Sequence, residues 1–158
     1  MKTIAIILFT CISHICLAQT KFYIDEYVAF PDLKIKIGEE TALSDIKVKI
    51  GSDITFDDFT VKITNKESEA DFIIVDSKFK ADKTIKASEN ETLPNIRIKV
   101  GESITLPDVS IKVISTGKAD YLVFSEKETL SMNDMVIVLL PVINSKLENK
   151  LEGIPTLK

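Results

Sequence analysis

Nine positions of this chain repeat one chemical choice. Asp32, Asp45, Asp58, Asp71, Asp82, Asn95, Asp108, Asp120 and Asp134 follow one another at gaps of 13, 13, 13, 11, 13, 13, 12 and 14 residues. Regularly placed carboxylates could do three kinds of work. Several converging on one point supply the oxygens that Ca²⁺ needs. Two facing each other across a cleft can cleave a glycosidic bond. Singly, each can accept a backbone N–H in a turn. The slots are spread one per unit, and no unit carries the alternating acids and Gly of a calcium loop. The densest local acids, Asp53, Asp57 and Asp58 in "GSDITFDD", include an adjacent pair, and adjacent residues of an extended chain point to opposite faces. The slot is therefore read as a turn position that builds the fold. No catalytic, cofactor-binding or metal-ligating residue is assigned, and no cofactor is expected.

The rest of the chemical inventory points the same way. Cys11, Cys16 and the sole histidine, His14, all lie in the first eighteen residues. There Lys2 precedes the apolar run "IAIILFTCISHICL" and the small-residue stretch before Gln19, the pattern of an export signal too short to span a bilayer. Beyond residue 18 no Cys, His or Trp remains, which removes disulfides, thiolate or imidazole nucleophile systems and the usual zinc sites. Without Lys2 the balance is 19 basic against 24 acidic residues, a net of −5 that gives no general reason to bind nucleic acid.

The elements that hold the slots repeat with them. "FPDLKIKIG", "LSDIKVKIG", "FDDFTVKIT", "LPNIRIKVG" and "LPDVSIKVI" each read apolar, turn residue, slot, then an alternating run. Weaker copies are "EADFIIVD", "KADKTIKA", "KADYLVFS" and "MNDMVIVL". Period-two alternation marks half-buried strands. Ile35, Val48, Val61, Ile98 and Ile111 take the inward parity, while Lys34, Lys36, Lys47, Lys49, Lys62, Arg97, Lys99 and Lys112 take the outward one. "FIIV", "YLVF" and "MVIVLL" are apolar on both parities and read as strands covered on two sides. Asp45, Asp58, Asp71 and Asp82 map onto Asn95, Asp108, Asp120 and Asp134 at offsets of 50, 50, 49 and 52, so a leading unit precedes a duplicated block of four. Helical spacing is confined to Ile143–Leu151.

One stretch has a relative in kind. "VDSKFKADKTIK" resembles the repeat of the small bacterial septoil-knot domain family, and "FYIDEYVAFPDLKIKI" is similar to that family's opening repeats. "EADF" and "KADY" fit its Ala-Asp step. The resemblance implies an all-β domain of many short strands with a deeply knotted chain and no catalytic residues to carry over. Here "GExxTLPD" loops replace several of the family's linkers, and the family's Trp is missing.

The expected protein is thus all-β, built of short strands on a repeat of about 13 residues in a compact layered or knotted septoil-type domain. A β-sandwich and a narrow β-solenoid are the alternatives. Residues 1–18 are the expected export signal, 19–141 the repeat domain, and 142–158 a tail with a short helix. The expected function is a non-enzymatic structural or interaction module, secreted, periplasmic or at the cell surface, with no transmembrane segment after signal removal. A cell-surface protein or an acidic glycan is the candidate partner, and Lys47, Lys49, Lys62, Arg97, Lys99 and Lys112 are the candidate polyanion contacts. The competing use of these lysines is to keep strands from pairing with other chains. The alternative functions are a carboxylate-dependent glycan hydrolase and a calcium-dependent adhesion or carbohydrate-binding domain. "NET" at Asn90–Thr92 matches a glycosylation acceptor.

Overall fold

A computed structural model describes residues 19–148. The export signal expected over 1–18 lies outside the described residues, as does the end of the helix expected over Ile143–Leu151. The alternating runs form nine strands: β1 (Thr20–Asp25), β2 (Leu33–Gly38), β3 (Ile46–Gly51), β4 (Phe59–Ile63), β5 (Phe72–Ile74), β6 (Lys83–Ser88), β7 (Ile96–Gly101), β8 (Val109–Val113) and β9 (Tyr121–Ser125). Two short helices follow, α1 (Met132–Val138) and α2 (Leu140–Lys146).

All nine strands are parallel and close into one ring, in the order β1-β5-β9-β4-β8-β3-β7-β2-β6 and back to β1. The alternatives of a sandwich and a solenoid give way to a barrel. Consecutive strands are never neighbours. Each step along the chain moves back two places round the ring, so β1–β5 complete one circuit and β6–β9 fill the gaps. Parallel neighbours ordinarily need crossovers of about a dozen residues or more. Here the stagger shortens them: Ile37 of β2 is level with Ile98 of β7, which is level with Ile46 of β3. The end of β2 thus lies directly across β7 from the start of β3, and residues 39–45 suffice to join them.

The stagger is regular. At eight of the nine contacts a strand's first residue faces the third residue of its neighbour, as Leu33 faces Ile85 and Val109 faces Val48. At β1–β5 the two first residues, Thr20 and Phe72, face each other. Eight steps of two and one of zero give a shear of 16. With strands about 4.8 Å apart and rising about 3.3 Å per residue, such a ring has a radius of roughly 11 Å and strands tilted about 50°. That is close to the distance at which a helix of about 10 Å diameter packs on a sheet. The lumen is accordingly the right size for one helix.

The C-terminal run fills it. Every residue from Met135 to Asn144 is buried, the mark of a helix enclosed on all sides. α1 touches β3 and β7 and also β5, which stands across the ring from them. Its start shares a recess with Asp25 and Ser88 at the strands' ends, while Val142 and Lys146 lie beside Asp58 and Asp120 at their starts. The helical segment therefore threads the barrel against the strand direction. Around it pack the inward residues, with Ile35, Val48, Val61, Ile98 and Ile111 all fully buried.

Two expectations fail here. "MVIVLL" is helix, not strand, and Asp134 is a helix-capping residue, not a ninth turn slot. The Ser131 hydroxyl accepts the Asp134 N–H at 3.0 Å, and the Asp134 carboxylate accepts from the Ser131 hydroxyl and N–H, a capping box. Pro141, which has no N–H to donate, marks the break between α1 and α2.

Candidate functional site: the outer wall of the barrel

The eight remaining slot residues share one geometry, and it reaches across the ring. Each slot directly precedes a strand and grips the second residue of the strand beside it. The Asp108 N–H donates to the Lys47 carbonyl at 2.9 Å, and the Lys47 N–H donates to the Asp108 carboxylate at 2.7 Å. The same double bond joins Asp32 to Thr84, Asp45 to Arg97, Asp58 to Ser110, Asp71 to Leu122, Asp82 to Lys21, Asn95 to Lys34 and Asp120 to Thr60. A backbone N–H donor within the residue's own turn was the expectation; the donor lies 51 to 61 residues away. Eight of the nine ring contacts carry such a clamp. The ninth, β1–β5, is also the one without stagger. There Gln19 precedes the strand and donates to the carbonyl oxygens of Glu67 and Ala70.

These contacts leave the carboxylates a structural task. Backbone N–H donation from Thr84 holds the Asp32 carboxyl below the usual carboxylate range, and that from Thr60 does the same for Asp120. Asp58 bonds Ser110 N–H through one oxygen and Lys146 through the other at 3.1 Å. Among the described residues no three of His, Cys, Asp and Glu gather as a metal cluster. Asp76, outside the slot series, pairs with Lys80 at 2.9 Å, and that ammonium holds its carboxyl below the ordinary range. Lys80 also reaches Glu126 at 3.0 Å.

The outward cations are arranged differently. Lys36 faces Arg97 in register across β2 and β7, Lys47 faces Lys99 across β3 and β7, and Lys34 faces Lys86 across β2 and β6. Like charges directly opposite one another on neighbouring strands are destabilising. Lys86 is neutralised by the buried Glu91 at 2.9 Å; this hydrogen-bonded pairing, with a smaller attraction from Lys34, keeps the Glu91 carboxyl below its usual range. Lys34, Lys36, Lys47, Lys49, Lys62, Arg97, Lys99 and Lys112 form no ion pair among the described residues. They run as a belt over β2, β7, β3, β8 and β4. Lys47 and Lys99 open into a recess of about 640 Å³ with Glu39, Glu40, Glu102 and Ser103 on its rim.

Loops pass over this wall. The Glu89 side chain lies on Gly38, that of Glu39 on Gly101, and that of Glu102 on Gly51. Each exit loop thus crosses the end of the next strand in the ring. At Gly38 a Cβ would stand 2.9 Å from the Glu89 carboxylate, so the crossing uses the missing side chain. No known family model matches the chain, and no curated protein is significantly similar to it.

Proposed function

We propose that this chain is an exported, non-enzymatic scaffold that holds acidic polymers against the basic belt of its outer wall. The observation that carries this reading is a belt of cations with no ion pair among the described residues, two couples of which, Lys36 with Arg97 and Lys47 with Lys99, face each other in register, on a surface where acids are plentiful. Keeping strands from pairing with other chains explains such lysines poorly in this fold, because a closed ring has no free edge to guard. A linear polyanion lying along the belt would relieve the cross-strand repulsion and release counterions. The engagement of the slot carboxylates with backbone N–H groups weighs against their use in hydrolysis or calcium binding.

Retention on heparin tests the reading. Replacing Lys47, Lys49, Arg97 and Lys99 by Gln lowers the salt needed for elution, while Lys66→Gln and Lys118→Gln, away from the belt, leave it unchanged. Equal elution of the belt variant and the parent protein would overturn the proposal. Mass spectrometry of the product recovered outside an exporting cell tests the leader: loss of residues 1–18 is expected.

The same reading includes membership of the septoil-knot family. Two interleaved circuits, with the loops after β2, β6 and β7 laid over the strands they skip, are the path a torus-like knot requires. Knots are rare, so the path needs its own test. Ligating the chain ends in the folded state and then unfolding gives a ring that migrates faster than one closed after unfolding. Identical migration would exclude the knot.

A further inference from the structure

Among the described residues, seven large apolar side chains are 78 to 99 % exposed, and five of them, all but Tyr27 and Phe79, share one position of the repeat. Phe30, Leu93, Leu43, Leu106 and Phe56 are 78 to 99 % exposed, and each stands two residues before a slot. Those slots precede β2, β7, β3, β8 and β4, which are five successive neighbours in the ring. Exposed apolar side chains are ordinary singly and informative when contiguous. The corresponding positions before β5 and β9 are Glu69 and Lys118, so the other side of the same rim is charged.

The backbone is shaped to present this arc. Phe30, Leu43 and Leu106 have φ of 55°, 50° and 52°, a left-handed conformation that bulky residues rarely adopt. Pro31, Pro94 and Pro107 follow Phe30, Leu93 and Leu106 and stiffen the step into the slot. Strain of this kind persists where the exposed side chain is itself of use. The regular stagger also fixes the arc's shape. Advancing two residues, about 6.6 Å, for each 4.8 Å across follows the strand tilt, so the strand starts lie round a rim nearly normal to the barrel axis.

We infer that this rim docks on the surface of a lipid bilayer. Five apolar tips over four of nine steps stand on a rim that lies nearly in one plane, so a flat fluid surface meets all of them together. The charges at the rim fit the same surface. Asp45 and Asp108 are clamped at the level of Arg97 and Lys47, so carboxylates and cations alternate beneath the middle of the arc, as ammonium and phosphate do in a zwitterionic headgroup layer. The contact would be interfacial, with tips reaching roughly 5–10 Å into the headgroup boundary.

The chain contains no tryptophan, which makes the test direct. Leu93→Trp places a sole reporter within the arc, and Lys118→Trp places one at the charged side of the rim. With phosphatidylcholine vesicles, emission from Leu93→Trp shifts to the blue and is quenched by lipids brominated on the acyl chain, while Lys118→Trp is unchanged. Adding Phe30→Ser and Phe56→Ser lowers the vesicle affinity of the Leu93→Trp protein at least about tenfold. A variant with Lys36, Lys49, Lys99 and Lys112 replaced by Gln, which spares Arg97 and Lys47 at the rim, keeps the shift while losing heparin retention, and this separates the inference from the polyanion reading. Leu106→Trp serves if Leu93→Trp misfolds. No shift at the arc, or equal shifts at both sites, would overturn the inference. So would a shift that grows with protein concentration in the absence of lipid, which would assign the arc to a second copy.

Discussion

The clamp at Asp108 is a single, separable interaction whose removal has a calculable cost. Asp108→Ala deletes the bond from Lys47 N–H to the carboxylate and leaves the reverse bond, from Asp108 N–H to the Lys47 carbonyl, in place. A hydrogen bond to a charged acceptor contributes about 1.5–3 kcal/mol, and both residues here are solvent-exposed, so water takes over part of the lost bond. A loss of about 1–2 kcal/mol is expected for Ala. Asp108→Asn keeps an acceptor of the same reach. The protein contains its own precedent, since Asn95 accepts from Lys34 N–H at 2.8 Å in the equivalent place. The Asn variant should therefore lose only about 0.5 kcal/mol, the difference between a charged and a neutral acceptor. Urea denaturation followed by circular dichroism, approached from both the folded and the unfolded side, measures both values. Equal losses for Asn and Ala would mean that charge, and not acceptor geometry, is what the slot supplies. No loss for either would mean that the clamps record strand pairing without stabilising it.

Other expectations follow from the same contacts. Ile137→Ala, in the helix enclosed by the barrel, leaves a cavity that the wall cannot close and costs about 2–5 kcal/mol in the same assay; a value below 1 would show the helix to be loosely seated. Leu43→Asn relieves a left-handed backbone at an exposed position and raises stability by roughly 0.5–1 kcal/mol, a gain that a fall in melting temperature would contradict. Asp32 and Asp120 have carboxyls held below the ordinary range in the folded state. Their contribution is present above the unfolded carboxylate pKa and is lost as pH falls through the folded one. The acid limb of a melting-temperature profile should therefore flatten in the Asp32→Asn, Asp120→Asn protein, and an unchanged limb would assign acid lability elsewhere. Hydrogen exchange should be fastest along β1–β5, where the clamp and the stagger are both missing; faster exchange at β3–β7 would refute that ranking.

Much of the wall was legible because alternation is a local property. The inward Ile and Val residues and the outward lysines followed from period two alone, and the strands begin directly after the slots. The offset near 50 also carried more information than its reading as a duplicated block. Strands β3 and β7, "IKVKIG" and "IRIKVG", are four units apart in sequence and side by side in the ring. A chain stepping back two places in a ring of nine brings each strand beside those four and five units away, so copies of one block become neighbours. The offset is a record of strand pairing.

What local pattern could not supply was the partner of each slot and the state of the last apolar run. An Asp before a strand has an acceptor to offer in any fold, and only ring closure decides that its donor lies on another circuit. For Met135–Leu140 the run was too short and too rich in Val and Ile to separate a buried strand from a buried helix. The deciding signal stood just upstream: Ser131 and Asp134 have the spacing of a capping box, and a slot would have needed only the Asp. The distinction matters for the whole barrel. Nine strands at this shear enclose a space that their own side chains do not fill, so the wall's geometry presupposes a helix inside it. The repeat and the non-repeating segment after it are parts of one packing solution, and the inward aliphatics of the wall are packed against a helix that their own repeat does not contain.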